Sequence, residues 1–164
     1  MIGRLLALAG GLSGAVALSQ FPEFSQQYLQ RLAGQVDALA RVEADFDRTA
    51  TRAGLTREVA LDELGTEGFS GQHAADLRAT FARAEGLRED LIMLRVAGIY
   101  ERLVMPHRMA DRELLRATWA DFVPAVPVSL AGFICAGIGY LAGWGLVAGL
   151  LSLLRWPFRR RQVY

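Results

Sequence analysis

Lysine is absent from this chain: all eighteen basic residues are arginine. Two sources fit that bias, the codon usage of a GC-rich genome or recognition of phosphate by arginine forks. Without lysine, no glycine-rich phosphate loop ending in lysine can be built. Cysteine is nearly absent too. The single Cys135 excludes an intrachain disulfide and a thiolate metal cluster. Histidine occurs twice, at His73 and His107, and neither has a second histidine or a cysteine at metal-ligand spacing. Acidic residues are missing from both ends, since all seventeen lie between Glu23 and Asp121. Strand-like alternation over five or more residues is absent, as are internal repeats and low-complexity tracts.

What remains is a chain of 164 residues, 52% hydrophobic, whose charges are segregated. Residues 23–121 hold thirteen arginines against seventeen acids, a balance of −4. Outside them the only charged side chains are Arg4, Arg155, Arg159, Arg160 and Arg161. The uncharged gaps are long enough to cross a bilayer. The pattern predicts an all-α protein with two transmembrane helices flanking an extramembrane helical hairpin, coiled-coil-like in its seams. The expected divisions are 1–24 for the first membrane helix, 25–125 for the middle domain, 126–156 for the second membrane helix and 157–164 for a basic tail.

Residues 2–21 rise about 30 Å as a helix, close to the hydrocarbon thickness. A cleaved signal peptide is the rival reading, with Arg4 as its basic start and Ala15-Val16-Ala17 as its cleavage site. Against it, apolar character continues through Leu18, Phe21 and Phe24. In the second stretch Ser129 is placed to cap the start, and Trp156 and Pro157 to anchor and stop the end. Arginine excess marks the cytoplasmic side. Arg4 at one end and Arg155, Arg159, Arg160 and Arg161 at the other predict two cytoplasmic termini. The middle domain then faces the periplasm of a bacterial inner membrane.

Both apolar stretches carry small residues at helical spacing: Gly10 and Gly14 in the first, Gly139, Gly143, Gly145 and Gly149 in the second. Such faces let helix backbones approach closely in lipid. They serve either contact between the two spans of one chain or contact between copies. Neither core holds a charge or a histidine, which argues against a proton relay or a charged transport path.

In the middle, residues 25–53 read as an amphipathic helix with a seam of Leu29, Leu32, Val36, Leu39, Phe46, Ala50 and Ala53. Glu43 interrupts the seam, with Val42 beside it as a substitute. Asp37 and Arg41 are spaced as an ion pair. Pro22 is expected to start or kink this helix. Gly54 ends it, Thr56 caps a short helix 57–64, and 65–71 is the turn. Ser70 would cap a second long helix, 71–105, with a seam of Leu77, Thr80, Ala84, Leu87, Leu91, Leu94 and Gly98, ended by Pro106. A last helix covers 111–122.

No catalytic, cofactor-binding or metal-binding residue is expected. The acids are interleaved with arginines on helix faces, so a solvated surface is the reading for them. The same interleaving argues against nucleic acid, and no small-molecule substrate is evident. The expected function is therefore non-enzymatic. It is a structural or accessory inner-membrane protein whose contacts are the lipid bilayer and either a membrane-protein partner or a second copy. The alternatives are a homo-oligomeric scaffold or small pore and, more remotely, a periplasmic sensor.

Residues 17–28, ALSQFPEFSQQY, with Leu29-Gln30-Arg31-Leu32 after them, and residues 119–127, WADFVPAVP, resemble a family of small proteobacterial inner-membrane proteins classed as a domain of unknown function. The resemblance covers essentially the whole chain. It implies a two-span protein whose first span is retained, because the shared segment runs across the cleavage site of the rival reading. It implies no activity, cofactor or catalytic residue.

Overall fold

The structure, a computed structural model, describes residues 2–124 and 129–159, with side chains as far as Leu154. Every regular element among them is helical. In order they are α1 (Ile2–Ser19), α2 (Phe21–Arg52), α3 (Arg57–Glu63), α4 (Gly68–Val96), α5 (Ile99–Leu103), a 3-10 turn (Pro106–Met109), α6 (Arg112–Ala120) and α7 (Leu130–Arg159). The chain divides into two compact units. One holds its two ends, to Gln26 and from Trp119. The other is Gln27–Thr118.

In the first unit α1 and α7 are each long and apolar enough to cross a membrane. Only 17% of the apolar window beginning at Ile2, and 11% of that in α7, is buried within the chain. A core helix of a water-soluble protein would bury most of such a window. Pro22 separates α1 from α2, as its ring requires, since it has no N–H to offer the Leu18 carbonyl. The Phe24 N–H bonds to the Gln20 carbonyl at 2.9 Å and helix resumes at once. Ser129 caps α7, its hydroxyl accepting from the Gly132 N–H at 3.1 Å. Pro157 does not stop α7, which runs on to Arg159. Proline removes one amide donor but holds a φ that helix accepts. Val126, Pro127, Arg160, Arg161 and the rest of the basic tail lie outside the described residues, as do the side chains of Arg155, Trp156 and Arg159.

In the second unit, α2 ends in a Schellman turn. The Leu55 N–H reaches the Ala50 carbonyl at 2.9 Å and the Gly54 N–H reaches Thr51 at 3.0 Å. Gly54 has a φ of 76°, a left-handed conformation that glycine adopts without a Cβ penalty. Thr56 caps α3 through the Val59 N–H. The second long helix starts three residues before the expected one, at Gly68 after the Glu67 cap, so Ser70 is not its cap. A Cβ on Gly71 would lie 2.8 Å from the Thr66 Cα, and this close approach folds the first turn of α4 into the stretch expected to be a loop. The far end also differs. The α4 helix stops at Val96, well before Pro106, where Arg102 donates to the Leu94 and Ala97 carbonyls at 2.8 and 3.1 Å. A guanidinium at a helix C-terminus satisfies carbonyls that the helix leaves open.

The buried stripe of α4 is Ala74, Phe81, Ala84, Leu87, Leu91 and Leu94, continued by Ala97 at its cap. It replaces Thr80 and Gly98 of the expected seam by their neighbours Phe81 and Ala97. Phe81 is held edge-on to Phe46, with ring centroids 5.5 Å apart, and Arg57 lies 4.8 Å over its face. On α2 the buried apolar residues are Tyr28, Leu32, Val36 and Ala50. Leu29, Leu39 and Phe46 are half-buried, and Ala53 is exposed beyond the helix end. Glu43 is not replaced by Val42 but turns inward itself, 12% exposed, because Arg88 bonds it at 2.8 Å. Val42 faces out. Asp37 and Arg41 are both exposed and do not form the expected pair.

Candidate functional site

The feature that the spans build is a glycine-lined helix pair. Leu5, Leu12 and Val16 of α1 and Phe133, Leu141 and Leu153 of α7 point away from the contact and are exposed. The contact itself is made where side chains are missing. A Cβ on Gly10 would sit 3.0 Å from the Gly143 carbonyl oxygen and one on Gly14 would sit 3.2 Å from the Gly143 Cα. Gly139 and Gly143 in turn meet the carbonyls of Gly14 and Gly10, and a Cβ on Gly139 would come 2.7 Å from that of Leu18. Gly11 is as confined, with Tyr140 and Trp144 beside it.

These pairings run in opposite senses along the two helices, so α1 and α7 are antiparallel. The glycine carbonyls occupy the space that an opposing Cβ would need, the close backbone approach that small residues allow between helices. Four of the six sequence-selected glycines, Gly10, Gly14, Gly139 and Gly143, are therefore brought together. Gly145 and Gly149 are not: a Cβ on either would meet nothing within 4 Å. Gly11, which stands beside Gly10 in the same small-residue face of the first span, faces the aromatic residues of α7. Cys135 is fully buried on α7, and its place is a small-residue place.

Arg4, the topology residue at the start of α1, is exposed. Beyond the other end of α1, Phe24 meets Trp119 edge-on at 5.9 Å and Phe122 at 5.6 Å, and the last two stack at 6.3 Å. Trp119 is nonetheless 71% exposed. These three residues come from the two segments that carry the family resemblance, nearly a hundred residues apart. The polar junction beside them is closed by short bonds. Ser19 donates to the Val16 carbonyl at 2.8 Å, and Ser25 donates to the Pro22 carbonyl at 2.9 Å.

In the second unit several arginines are engaged by carboxylates. Arg57 grips Asp47 with two nitrogens at 2.7 and 2.5 Å. Arg83 reaches Asp111 at 3.2 Å and Glu113 at 2.7 Å. Arg108 reaches Asp90 at 2.9 Å and Arg78 reaches Asp62 at 2.7 Å. The Arg57 guanidinium holds Asp47 below the usual carboxylate range. Burial alone would raise Asp111, but the Leu114 N–H and Arg83 outweigh it and leave the group lowered. Tyr28, at 1% exposure, is pushed up to about 12, by burial first and then by the negative field of Asp111. The planar fork of arginine suits these partners better than lysine would.

A groove of about 260 Å³ is lined by Glu89, Ile92, Met93 and Arg108, and Arg108 is already turned to Asp90. His73 is exposed and stacks on Phe69 at 6.2 Å, and His107 is exposed in the 3-10 turn. Among the described residues, no three histidine, cysteine or acidic side chains gather as metal ligands would.

An all-helical chain with two helices fit to span a membrane and a charged helical unit between them defines the class. Within that class, the family described as "Protein of unknown function (DUF2937)" matches residues 2–160, and the chain belongs to it. No curated protein and no solved structure matches the chain.

Proposed function

We propose that this is a two-pass inner-membrane protein of structural or accessory type. In this reading α1 and α7 form the anchor, and the helical unit between them binds another membrane or envelope component. The observation that carries the reading is the antiparallel glycine contact of two helices whose leucine-rich outer faces are left open to lipid. Lipid gives helices no hydrophobic drive to associate, so close backbone approach is the means by which such a pair holds together.

Both termini are cytoplasmic in this reading, marked by Arg4 at one end and by Arg155, Arg159, Arg160 and Arg161 at the other, and the middle unit is periplasmic. The α2 and α4 helices act there as a coiled-coil-like hairpin, and the Phe46–Phe81 and Glu43–Arg88 contacts support their antiparallel course. The role is non-enzymatic. Asp47, Asp111, Glu43 and Asp90 are matched by arginines in charge-neutralising pairs, an arrangement suited to holding helices in place.

Affinity purification in mild detergent, at native expression, tests the accessory role. A reproducible second protein recovered with the full-length chain is expected. Recovery of the chain alone contradicts it. A homo-oligomeric scaffold or small pore is the second reading, favoured by one observation: Gly145 and Gly149 present a small-residue face that α1 does not cover. Size measurement of the solubilised protein separates the two, since a monomer excludes the oligomer.

A further inference from the structure

We infer that Phe24, Trp119 and Phe122 form an aromatic anchor seated in the headgroup region of the phospholipid bilayer, at the end of the span pair opposite Arg4. The inference rests on the two-span reading and adds to it a specific lipid-contacting site.

The cluster belongs to the same compact unit as the two spans. The antiparallel register brings the end of α1 and the start of α7 to one end of that unit, and the cluster lies just beyond both in the chain. Arg4 and Phe24 are twenty residues apart, about 30 Å of helical rise, which is the thickness of the hydrocarbon core. With Arg4 at one interface, Phe24 falls at the other. Aromatic residues concentrate at that depth because an apolar ring and a polar edge suit the two sides of the boundary.

The exposure of the cluster makes the same point. Trp119 is held by two ring contacts and still leaves 71% of its surface open, and Val123 beside it leaves 70%. A fixed, uncovered indole facing water would be a poor use of its area. In the bilayer, the lipid that covers the open apolar faces of α1 and α7 covers it too. The indole N–H is left to reach headgroup oxygens or interfacial water, while the ring rests on the ends of the acyl chains. Phe24 and Phe122 hold it in that attitude.

Fluorescence in vesicles tests this. The full-length protein with Trp144→Phe and Trp156→Phe keeps Trp119 as its only tryptophan. It is reconstituted into phosphatidylcholine and phosphatidylglycerol vesicles carrying bromine near either the glycerol end or the methyl end of the acyl chains. The expected result is Trp119 emission to the blue of the fully hydrated value, quenched more by shallow bromine than by deep bromine. Emission that no bromine quenches overturns the anchor, whether water or protein then covers the ring. Stronger quenching by deep bromine overturns it as well. A companion protein keeping only Trp144, inside α7, reports on the spans. If deep bromine quenches Trp144 and no bromine quenches Trp119, the anchor alone fails. If neither is quenched, the two-span reading fails with it.

Discussion

Gly14 and Gly139 face one another so closely that a Cβ built on either would fall on the backbone carbonyl of the other. No other residue type fits this meeting point without separating the helices. The energetic weight of the contact is van der Waals approach and carbonyl alignment, both of which decay over a fraction of an ångström.

Gly139→Leu with Gly143→Leu is therefore expected to part α1 from α7 while leaving membrane insertion intact, since leucine favours the bilayer core. Gly145→Leu with Gly149→Leu is the control, because those positions open onto empty space within the chain. Crosslinking between cysteines placed in α1 and α7, in a Cys135→Ala background, should be lost in the first double variant and kept in the second. Equal crosslinking in both would mean that the glycine contact does not hold the pair.

Leu91 is 4% exposed and its neighbour Ile92 is 58% exposed. Leu91→Ala should cost about 2–5 kcal/mol in denaturant unfolding of the detergent-solubilised protein. Ile92→Ala should change it by less than about 0.5 kcal/mol. A loss below about half a kilocalorie at Leu91 would remove it from the core.

Most of that core stripe was legible in the sequence. Ala84, Leu87, Leu91 and Leu94 repeat at three and four residues, and no other period explains them. The register failed at Thr80 and Gly98, where the choice between a residue and its neighbour depended on a distant partner: Phe46 and Arg57 draw in Phe81, and Arg102 closes the helix at Val96, with Ala97 as its buried cap. Glu43 misled for the same reason, as its inward turn depends on Arg88, forty-five residues away. The glycine pair was legible as a face, and only the structure could divide it into the four glycines that touch and the two that do not. The aromatic cluster was missed because its members are far apart in the chain, although Phe24, Trp119 and Phe122 stood in the two segments that carry the resemblance.

Gly34 sits within α2, exposed, where an added Cβ would meet nothing within 4 Å. Gly34→Ala should raise stability by about 0.5–1 kcal/mol, by lowering the backbone entropy of the unfolded chain. Thermal unfolding followed by circular dichroism reads this. An unchanged or lower midpoint would mean that this stretch of α2 is not a regular, exposed helix.

Tyr28 gives a pH test. Its pKa rises from 10.0 to about 12 on folding. A raised pKa means that the folded state holds the proton more tightly, so the associated stability is complete below the unfolded pKa. It is lost as pH rises through the folded one. The stability advantage of the natural protein over Tyr28→Phe should therefore shrink across the window from 10.0 to about 12. An advantage that stays constant across that window would place Tyr28 in contact with water. At the acid end the lowered Asp111 works in the other direction, contributing above the ordinary carboxylate pKa and losing that contribution as pH falls through its own.

The central claim is that α1 and α7 cross one bilayer as an antiparallel pair, leaving both termini on one side and the helical unit on the other. Labelling of single cysteines by a membrane-impermeant maleimide tests it most directly, with Cys135 replaced and the new cysteine at Gly68 or at Tyr164. The account predicts that position 68 is labelled in cells whose outer membrane alone has been opened, and position 164 only after the inner membrane is broken. Labelling of both positions under the same condition would contradict it.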